Sequence, residues 1–169
     1  MAAPMFPVNA HRFDPYRTFK FQVAIDGAVV AGLQKMSALK KTTEPVLWRD
    51  AGSPSFQRVM PGGTKYEPVT LEQGLSHDKV FEFWANMVNS FEGDFAMSLK
   101  NYRKNIVINV LNLQGVAAIS YKLFRAWVSD YQALPDLDSN ATNTIGIQSI
   151  TLQHEGWQRD EGVAEPAET

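Results

Sequence analysis

Alternation of apolar and polar residues, followed at once by Asp-Gly, constrains the fold of this chain more than any other feature. Every second position over residues 18–25 is apolar: Phe19, Phe21, Val23 and Ile25. A period of two places these side chains on one face of a β-strand. Asp26 and Gly27 supply the positive φ angles of a two-residue hairpin turn, so residues 28–33 are predicted to return as the partner strand.

Further extended segments follow along the chain. We predict strands over residues 39–49, 64–71, 104–113, 118–131 and 145–152. The segment 104–113 carries apolar residues on both faces, which is typical of a strand covered on both sides. In the last segment Ile145 and Ile147 are out of phase with Ile150 and Leu152, and this slip predicts a β-bulge near Gln148-Ser149.

One amphipathic helix interrupts the strands. Residues 77–90 place Val80, Phe81, Trp84, Met87 and Val88 on one face. Ser76 is the predicted N-cap, and Asp78 suits the positive end of the helix dipole. Strands with tight turns and a single helix predict a mainly β fold, namely a small antiparallel β-barrel of two packed sheets with one flanking α-helix.

Length and composition favour a single domain. The chain has 169 residues, no cysteine and a net charge of −2, which is far from the basic excess of a nucleic-acid binder. It has no apolar run of transmembrane length and no secretory signal pattern, so we expect cytoplasmic synthesis and no stable membrane insertion. We expect an N-terminal arm over residues 1–15, a folded domain over 16–158 and an acidic flexible tail over 159–169.

Motifs that carry chemistry are incomplete in this sequence. His154-Glu155 lacks the second histidine of a metalloprotease helix, because Gln158 stands at that position. The acidic run at 136–140 lacks the glycine and the bidentate glutamate of a calcium loop. The segment 62–65 is too poor in glycine for a phosphate cradle. We therefore predict no catalytic residue, no metal site and no cofactor.

Residues 50–63 are rich in turn-forming residues and follow neither the helix nor the strand period. A structureless segment of this length is unusual inside a compact domain, and it is either functional or disordered. We therefore treat it as the candidate functional segment of the chain.

The order of segments resembles a known family. The segments are FKFQVAIDG at 19–27, VAGL at 30–33, EPVLW at 44–48, PGGTKY at 61–66, VTLEQG at 69–74, the helix, residues 121–127 and ITLQHEG at 150–156. Together they resemble the tail tube proteins of contractile phage tails and of extracellular contractile injection systems, which are akin to the ring protein of type VI secretion.

This resemblance implies a structural subunit. Such proteins form hexameric rings that stack into the inner tube of the apparatus, inside a contractile sheath and on a baseplate with spike proteins. Cargo, either a protein effector or DNA, passes along the lumen of the assembled phage tail or tail-like particle. The segment 50–63 would reach a neighbouring subunit or the adjacent ring. The expected contact residues are Arg49, Asp50, Phe56, Arg58, Val59, Met60 and Pro61.

Two alternatives remain open from the sequence. The first is a β-barrel that binds a small molecule in an aromatic interior pocket. The second is an enzyme whose catalytic residues converge only in the folded chain, which a cluster of groups with strongly shifted pKa values in a cleft would reveal.

Overall fold

The computed structural model describes residues 15–30, 32–52, 54–93 and 97–164. Within these ranges the elements are β1 (Phe21–Ile25), β2 (Ala28–Val29), β3 (Leu33–Met36), β4 (Lys41–Trp48), β5 (Arg58–Tyr66), β6 (Val69–Gly74), α1 (Val80–Val88), β7 (Lys104–Leu111), β8 (Ala117–Gln132), β9 (Ile147–Gln153) and β10 (Gly156–Arg159). Almost all of the predicted arm over residues 1–15, and the end of the acidic tail from residue 165, lie outside the described residues.

Apart from β4 and β5, the described strands pair in antiparallel fashion around one core, which confirms the mainly β fold with one helix. They follow the order β2-β1-β7-β8-β9-β6-β3, and β10 also pairs with β8. The 16-residue strand β8 pairs with β7 and β10 in its first part and with β9 in its second. It therefore continues from one sheet, with β1, β2, β7 and β10, into the other, with β3, β6 and β9. Within the described ranges β2 does not pair with β3, so the barrel is open at this position.

The first hairpin forms where the sequence predicts it. Asp26 and Gly27 adopt φ angles of 50° and 82°, and Ile25 faces Ala28 across the turn. The returning strand is shorter than predicted, because β2 ends at Val29. The chain then crosses to the far end of the strand order, where β3 pairs with β6.

The core lies between the sheets and is closed by α1. Its helical contribution is Phe81 and Trp84, which are both buried, and the Trp84 Nε1–H donates to the Tyr102 carbonyl oxygen at 2.8 Å. The other buried apolar residues are Val23, Ile25, Val30, Val69, Leu71, Ile106, Ile108, Leu123, Ala126, Val128, Ile150 and Leu152.

The helix is shorter than its apolar periodicity suggests. It spans Val80–Val88, not 77–90, and Lys79 rather than Ser76 occupies the N-cap position. The Val80 N–H donates to the Asp78 Oδ1 at 3.1 Å. This bond satisfies one of the free N–H groups at the helix start, so Asp78 takes over the role predicted for Ser76.

The bulge predicted near Gln148-Ser149 is wrong. Strand β9 pairs with β6 without a register shift, and the irregularity lies opposite, in β8 between Val128 and Asp130. The phase slip has another cause: the core face of β9 includes Gln148, which is 5% exposed, while Ile145 is 74% exposed. A buried polar residue, not a bulge, breaks the apolar alternation.

Gln148 is accepted in the core because it has a polar partner. Its Nε2 donates to the Gln73 Oε1 at 2.9 Å, and Gln73 faces it across the β6–β9 pair. The Gln73 Nε2 in turn donates to the Asp78 Oδ2 at 3.2 Å. Buried polar groups require such partners, and this chain of bonds connects the sheet to the start of α1.

Candidate assembly surface

The segment that the sequence leaves unassigned forms a long hairpin. Strands β4 and β5 pair with each other and, among the described residues, with no further strand. Residues 58–63, predicted as loop, lie in β5, and the strand predicted over 64–71 is divided between β5 and β6. The connecting loop is therefore limited to residues 49–57. We call residues 41–66 the β4–β5 hairpin.

The outer half of the β4–β5 hairpin is apolar on both faces. In the antiparallel register Pro45 faces Pro61, Val46 faces Met60, Leu47 faces Val59 and Trp48 faces Arg58. Opposed residues share a face and neighbouring pairs alternate. One face is thus formed by two prolines, a leucine and a valine, and the other by Val46, Met60, Trp48 and the aliphatic part of Arg58.

These apolar side chains are exposed to solvent. Val59 is 65% exposed, and Val46, Leu47, Trp48 and Met60 also lie in the exposed class. A strand pair that is apolar on both faces is typical of a position covered on both sides, and an exposed apolar patch marks an interaction site. The β4–β5 hairpin is therefore the strongest candidate for a contact surface in the described part of the chain.

The β4–β5 hairpin is well defined within the single subunit. The Arg58 guanidinium lies 5.4 Å from the centroid of the Trp48 ring, a distance suited to a cation–π interaction. The hydroxyls of Thr43 and Thr64 form a hydrogen bond at 2.9 Å. At the register shift after Thr43, a Cβ on Gly62 would lie 2.8 Å from the Glu44 carbonyl oxygen. Glycine permits this close approach of the two strands.

Aromatic residues attach the base of the hairpin to the sheets. The Tyr66 and Trp157 rings are in edge contact with centroids 6.3 Å apart, and the His154 ring is 6.0 Å from Tyr66. The His154 Nε2 donates to the Glu67 carbonyl oxygen at 2.9 Å, since a carbonyl can only accept. The Tyr66 ring also packs beside Gly156, where an added Cβ would lie 3.4 Å from it. These contacts fix the direction in which the hairpin leaves the domain.

The predicted contact residues all lie in the outer half of this hairpin or in its loop. Arg49, Asp50 and Phe56 belong to the 49–57 loop, and Arg58–Pro61 belongs to β5. Sequence reasoning missed the facing residues Val46, Leu47 and Trp48. The sequence feature that could have revealed them is the uninterrupted apolar run that follows Pro45. Within sheets, proline is confined to edge strands and bulges.

The remaining chemistry of the described residues is that of an ordinary protein surface. They contain no group of three metal-ligating side chains and no helix long and apolar enough to cross a membrane. Burial and the Glu82 carboxylate raise the pKa of Tyr131. A hydrogen bond from Lys122 lowers the pKa of the half-buried Asp160 carboxyl. These two residues lie on separate elements and do not form a catalytic cluster.

An antiparallel β domain that exposes an apolar hairpin has the surface expected of a protein that binds other protein chains. Consistent with this, residues 17–158 match the profile of the T4-like virus tail tube protein gp19 family. The chain belongs to that family. This confirms the resemblance seen in the sequence. No curated protein matches the chain.

Solved structures share the fold at low sequence identity. A chain of the six-fold symmetrised anti-feeding prophage baseplate superposes with a TM-score of 0.71 at 19% identity, over 87% of this chain and 96% of that chain. A chain of the sheath–tube complex of PVC, an extracellular contractile injection system, superposes with a TM-score of 0.71 at 20% identity, over 86% of this chain and 91% of that chain. Hcp1 from Flavobacterium johnsoniae superposes with a TM-score of 0.54 at 15% identity, over 88% of this chain and 100% of that chain.

Proposed function

We propose that this chain forms hexameric rings that stack into the inner tube of a contractile phage tail or tail-like injection particle. The observation that carries the proposal is the β4–β5 hairpin, which exposes apolar residues on both faces in a member of the tail tube family. Burial of such a hairpin between subunits would stabilise each contact through the hydrophobic effect.

The proposed partners follow from the complexes in which similar folds occur. The neighbours come from a sheath–tube complex, a baseplate and a tube-terminating cap. We propose a contractile sheath around the tube, baseplate or spike proteins at its end, and cargo in its lumen, either a protein effector or DNA. Family membership supports a structural role without catalysis. The absence of cysteine is compatible with synthesis in the reducing cytoplasm before assembly.

Electron microscopy of the purified protein, with light scattering for its mass, tests this proposal. We expect annular particles or tubes with six-fold symmetry. A Leu47→Ser/Val59→Ser variant should stay folded but require at least about 100-fold more protein to assemble, because each apolar side chain contributes about 1.5 kcal/mol or more when buried. Val116→Ser, an exposed valine outside the hairpin, is the matched control and should assemble normally.

A negative outcome is equally clear. Uniform monomers at high concentration, with no growth on a baseplate or tube seed, would contradict the proposed tube. Normal assembly of the Leu47→Ser/Val59→Ser variant would contradict the role of the hairpin.

A further inference from the structure

We infer that Arg103 and Arg125 form a carboxylate-binding site, and that the end of the acidic tail of the same chain, residues 165–169, occupies it. The two arginines share a single carboxylate, that of Glu155, so the site keeps an excess of positive charge. The inference concerns a contact within one chain and is independent of the proposed tube.

The backbone of β8 is distorted where it presents Arg125. Opposite the stretch of β7 from Lys104 to Ile106, β8 has one residue more than β7, which is the pattern of a β-bulge. Arg125 lies in this bulge with a φ of 52°, a conformation that is unfavourable for a residue with a side chain. Its N–H donates to the Asn105 Oδ1 at 3.1 Å. Bulges re-aim side chains, and this one directs Arg125 to Glu155.

The two guanidinium groups are only partly paired. Arg103 donates one hydrogen bond to the Glu155 Oε1 at 3.1 Å, and Arg125 donates one to the Oε2 at 3.2 Å. A guanidinium has five N–H groups, and neither arginine has a second acceptor among the described residues. The two side chains are 44% and 66% exposed. Both therefore keep N–H groups for a further carboxylate, which an arginine can bind in bidentate fashion.

The charges around the arginines do not cancel this excess. Lys104, which follows Arg103, is already paired, because its Nζ lies 2.7 Å from the Asp26 Oδ2. The Arg103 guanidinium lies 5.2 Å from the centroid of the Tyr102 ring, a contact that orients the group and leaves its charge in place. Three basic residues thus meet two acidic ones in this cluster. One further carboxylate would neutralise it.

The end of the described chain turns back towards this site. Strand β10 runs from Gly156, next to Glu155, to Arg159. The Val163 N–H then donates to the Asp160 carbonyl oxygen at 3.4 Å. A bond between residues three apart is that of a β-turn, which reverses the chain. The residues that follow are therefore directed back along β10.

The tail has the length and the charge to reach the arginines. Glu168 follows Val163 by five residues, and Glu155 precedes Asp160 by the same number. Five residues span up to about 17 Å when extended. A tail that runs back along β10 therefore brings Glu168 level with Glu155. Residues 165–169 contain two glutamates and no basic residue.

A polar groove lies on this path. It has a volume of about 310 Å³ and is lined by Lys122, Gln158 and residues 159–162. Gln158 faces Lys122 across the β8–β10 pair, so the two side chains share a face of the sheet. Glu165, two residues after the turn, would pass along this groove before Glu168 reaches the arginines.

Cysteine cross-linking with an equidistant control tests the docking, because the chain contains no cysteine. Phe124 and Val116 are exposed and lie four residues on either side of Ser120. The Ser120 carbonyl oxygen accepts a hydrogen bond from the Asp160 N–H at 2.8 Å, so the tail starts midway between them. Phe124→Cys or Val116→Cys is combined with Thr169→Cys in the full chain, and dilute protein is treated with a short bis-maleimide. Denaturing gels separate links within a chain from links between chains, and peptide mass spectrometry measures their amounts.

The Phe124→Cys pair should give at least about threefold more link within the chain than the Val116→Cys pair, which is the range expected of one or two exposed ion pairs. A tail that docks nowhere would link to both positions equally. The control is stringent, because the Lys20 Nζ lies 2.6 Å from the Leu113 carbonyl oxygen and gives the Val116 end a positive charge of its own.

Two substitutions make the result specific to the glutamate that reaches the arginines. Glu168→Gln should bring the two pairs to equal yields, whereas Glu161→Gln, which removes the same charge at the turn, should leave the preference unchanged. Raising NaCl to roughly 0.5 M should also weaken the preference, since salt screens exposed charges. Neither substitution alters a residue of the sheets, so the domain stays folded.

Equal yields from the two pairs in the otherwise unsubstituted chain would overturn the inference. A preference that survives Glu168→Gln would overturn it as well. Links found only between chains would assign the tail to another copy and contradict the contact within one chain. Microscopy of the unsubstituted chain tests the proposed tube separately from all of these outcomes.

Discussion

The buried amide pair provides a quantitative test of the core. Gln148 and Gln73 are 5% and 2% exposed, and the Gln148 Nε2 donates to the Gln73 Oε1 at 2.9 Å. Gln148→Met keeps the approximate size of the side chain and removes this donor. An acceptor in a buried site that loses its donor costs about 1–3 kcal/mol. For a domain of this size the loss should lower the melting temperature by roughly 2–12 °C.

A double-mutant cycle identifies the source of this loss. Replacement of both partners by apolar groups of similar shape is close to neutral. The Gln73→Met/Gln148→Met variant should therefore cost less than the sum of the two single variants. The difference should be about 0.5–3 kcal/mol of coupling. Some cost remains, because Asp78 loses the donor that Gln73 provides and the Tyr131 hydroxyl loses its acceptor on Gln148.

Urea unfolding of the unassembled subunit measures these free energies. The slope of the free energy against urea should stay constant among the variants, which shows that only stability has changed. Gln132→Met, an exposed glutamine at the end of β8, is the control and should stay within about 0.5 kcal/mol of the parent. An equally small effect of Gln148→Met, or strict additivity in the cycle, would refute the reasoning.

Three further expectations concern single positions. Gly62→Ala should impair tube formation, because its Cβ would lie 2.8 Å from a β4 carbonyl oxygen. Gly63→Ala, whose Cβ would meet open space, should form tubes normally. Electron microscopy of both variants measures the difference. Burial and Glu82 raise the pKa of Tyr131 above 10.0, so the folded state disfavours tyrosinate. The free energy of unfolding should therefore fall as the pH rises past 10. Tyr131→Phe should reduce that fall, as measured by urea unfolding. Trp84→Phe removes a buried hydrogen bond of 2.8 Å and should cost about 1–3 kcal/mol in thermal unfolding.

The sequence predicts structure well where local chemistry determines it. Asp26-Gly27 supplies the turn geometry within two residues, so the first hairpin follows without knowledge of the rest of the fold. The helix is also evident, because Phe81 and Trp84 recur at a helical spacing against the core. The sequence predicts too early a start, because the side-chain bond of Asp78 depends on the loop conformation that follows β6.

Apolar periodicity fails where burial does not follow it. In β9 the core position belongs to Gln148. Its pairing with Gln73 across 75 residues of sequence, together with a hydrogen bond from the Tyr131 hydroxyl, makes that burial tolerable. Residues 58–63 form a strand that no period reveals, because β5 lies on no core and both of its faces are apolar. A period of two indicates a strand with one solvent-exposed polar face and one buried apolar face. The two faces of the β4–β5 hairpin do not differ in this way.

Strand β8 has a mechanical consequence for the subunit. It pairs with β7 in its first part and with β9 in its second, with register shifts on either side of Ala126, so a load applied to either sheet passes along one strand into the other. Neither sheet can separate from the other while β8 remains hydrogen-bonded to both, so local opening is confined to the elements outside β8. A cylinder of such subunits would carry an axial load through strands that continue from one sheet into the other.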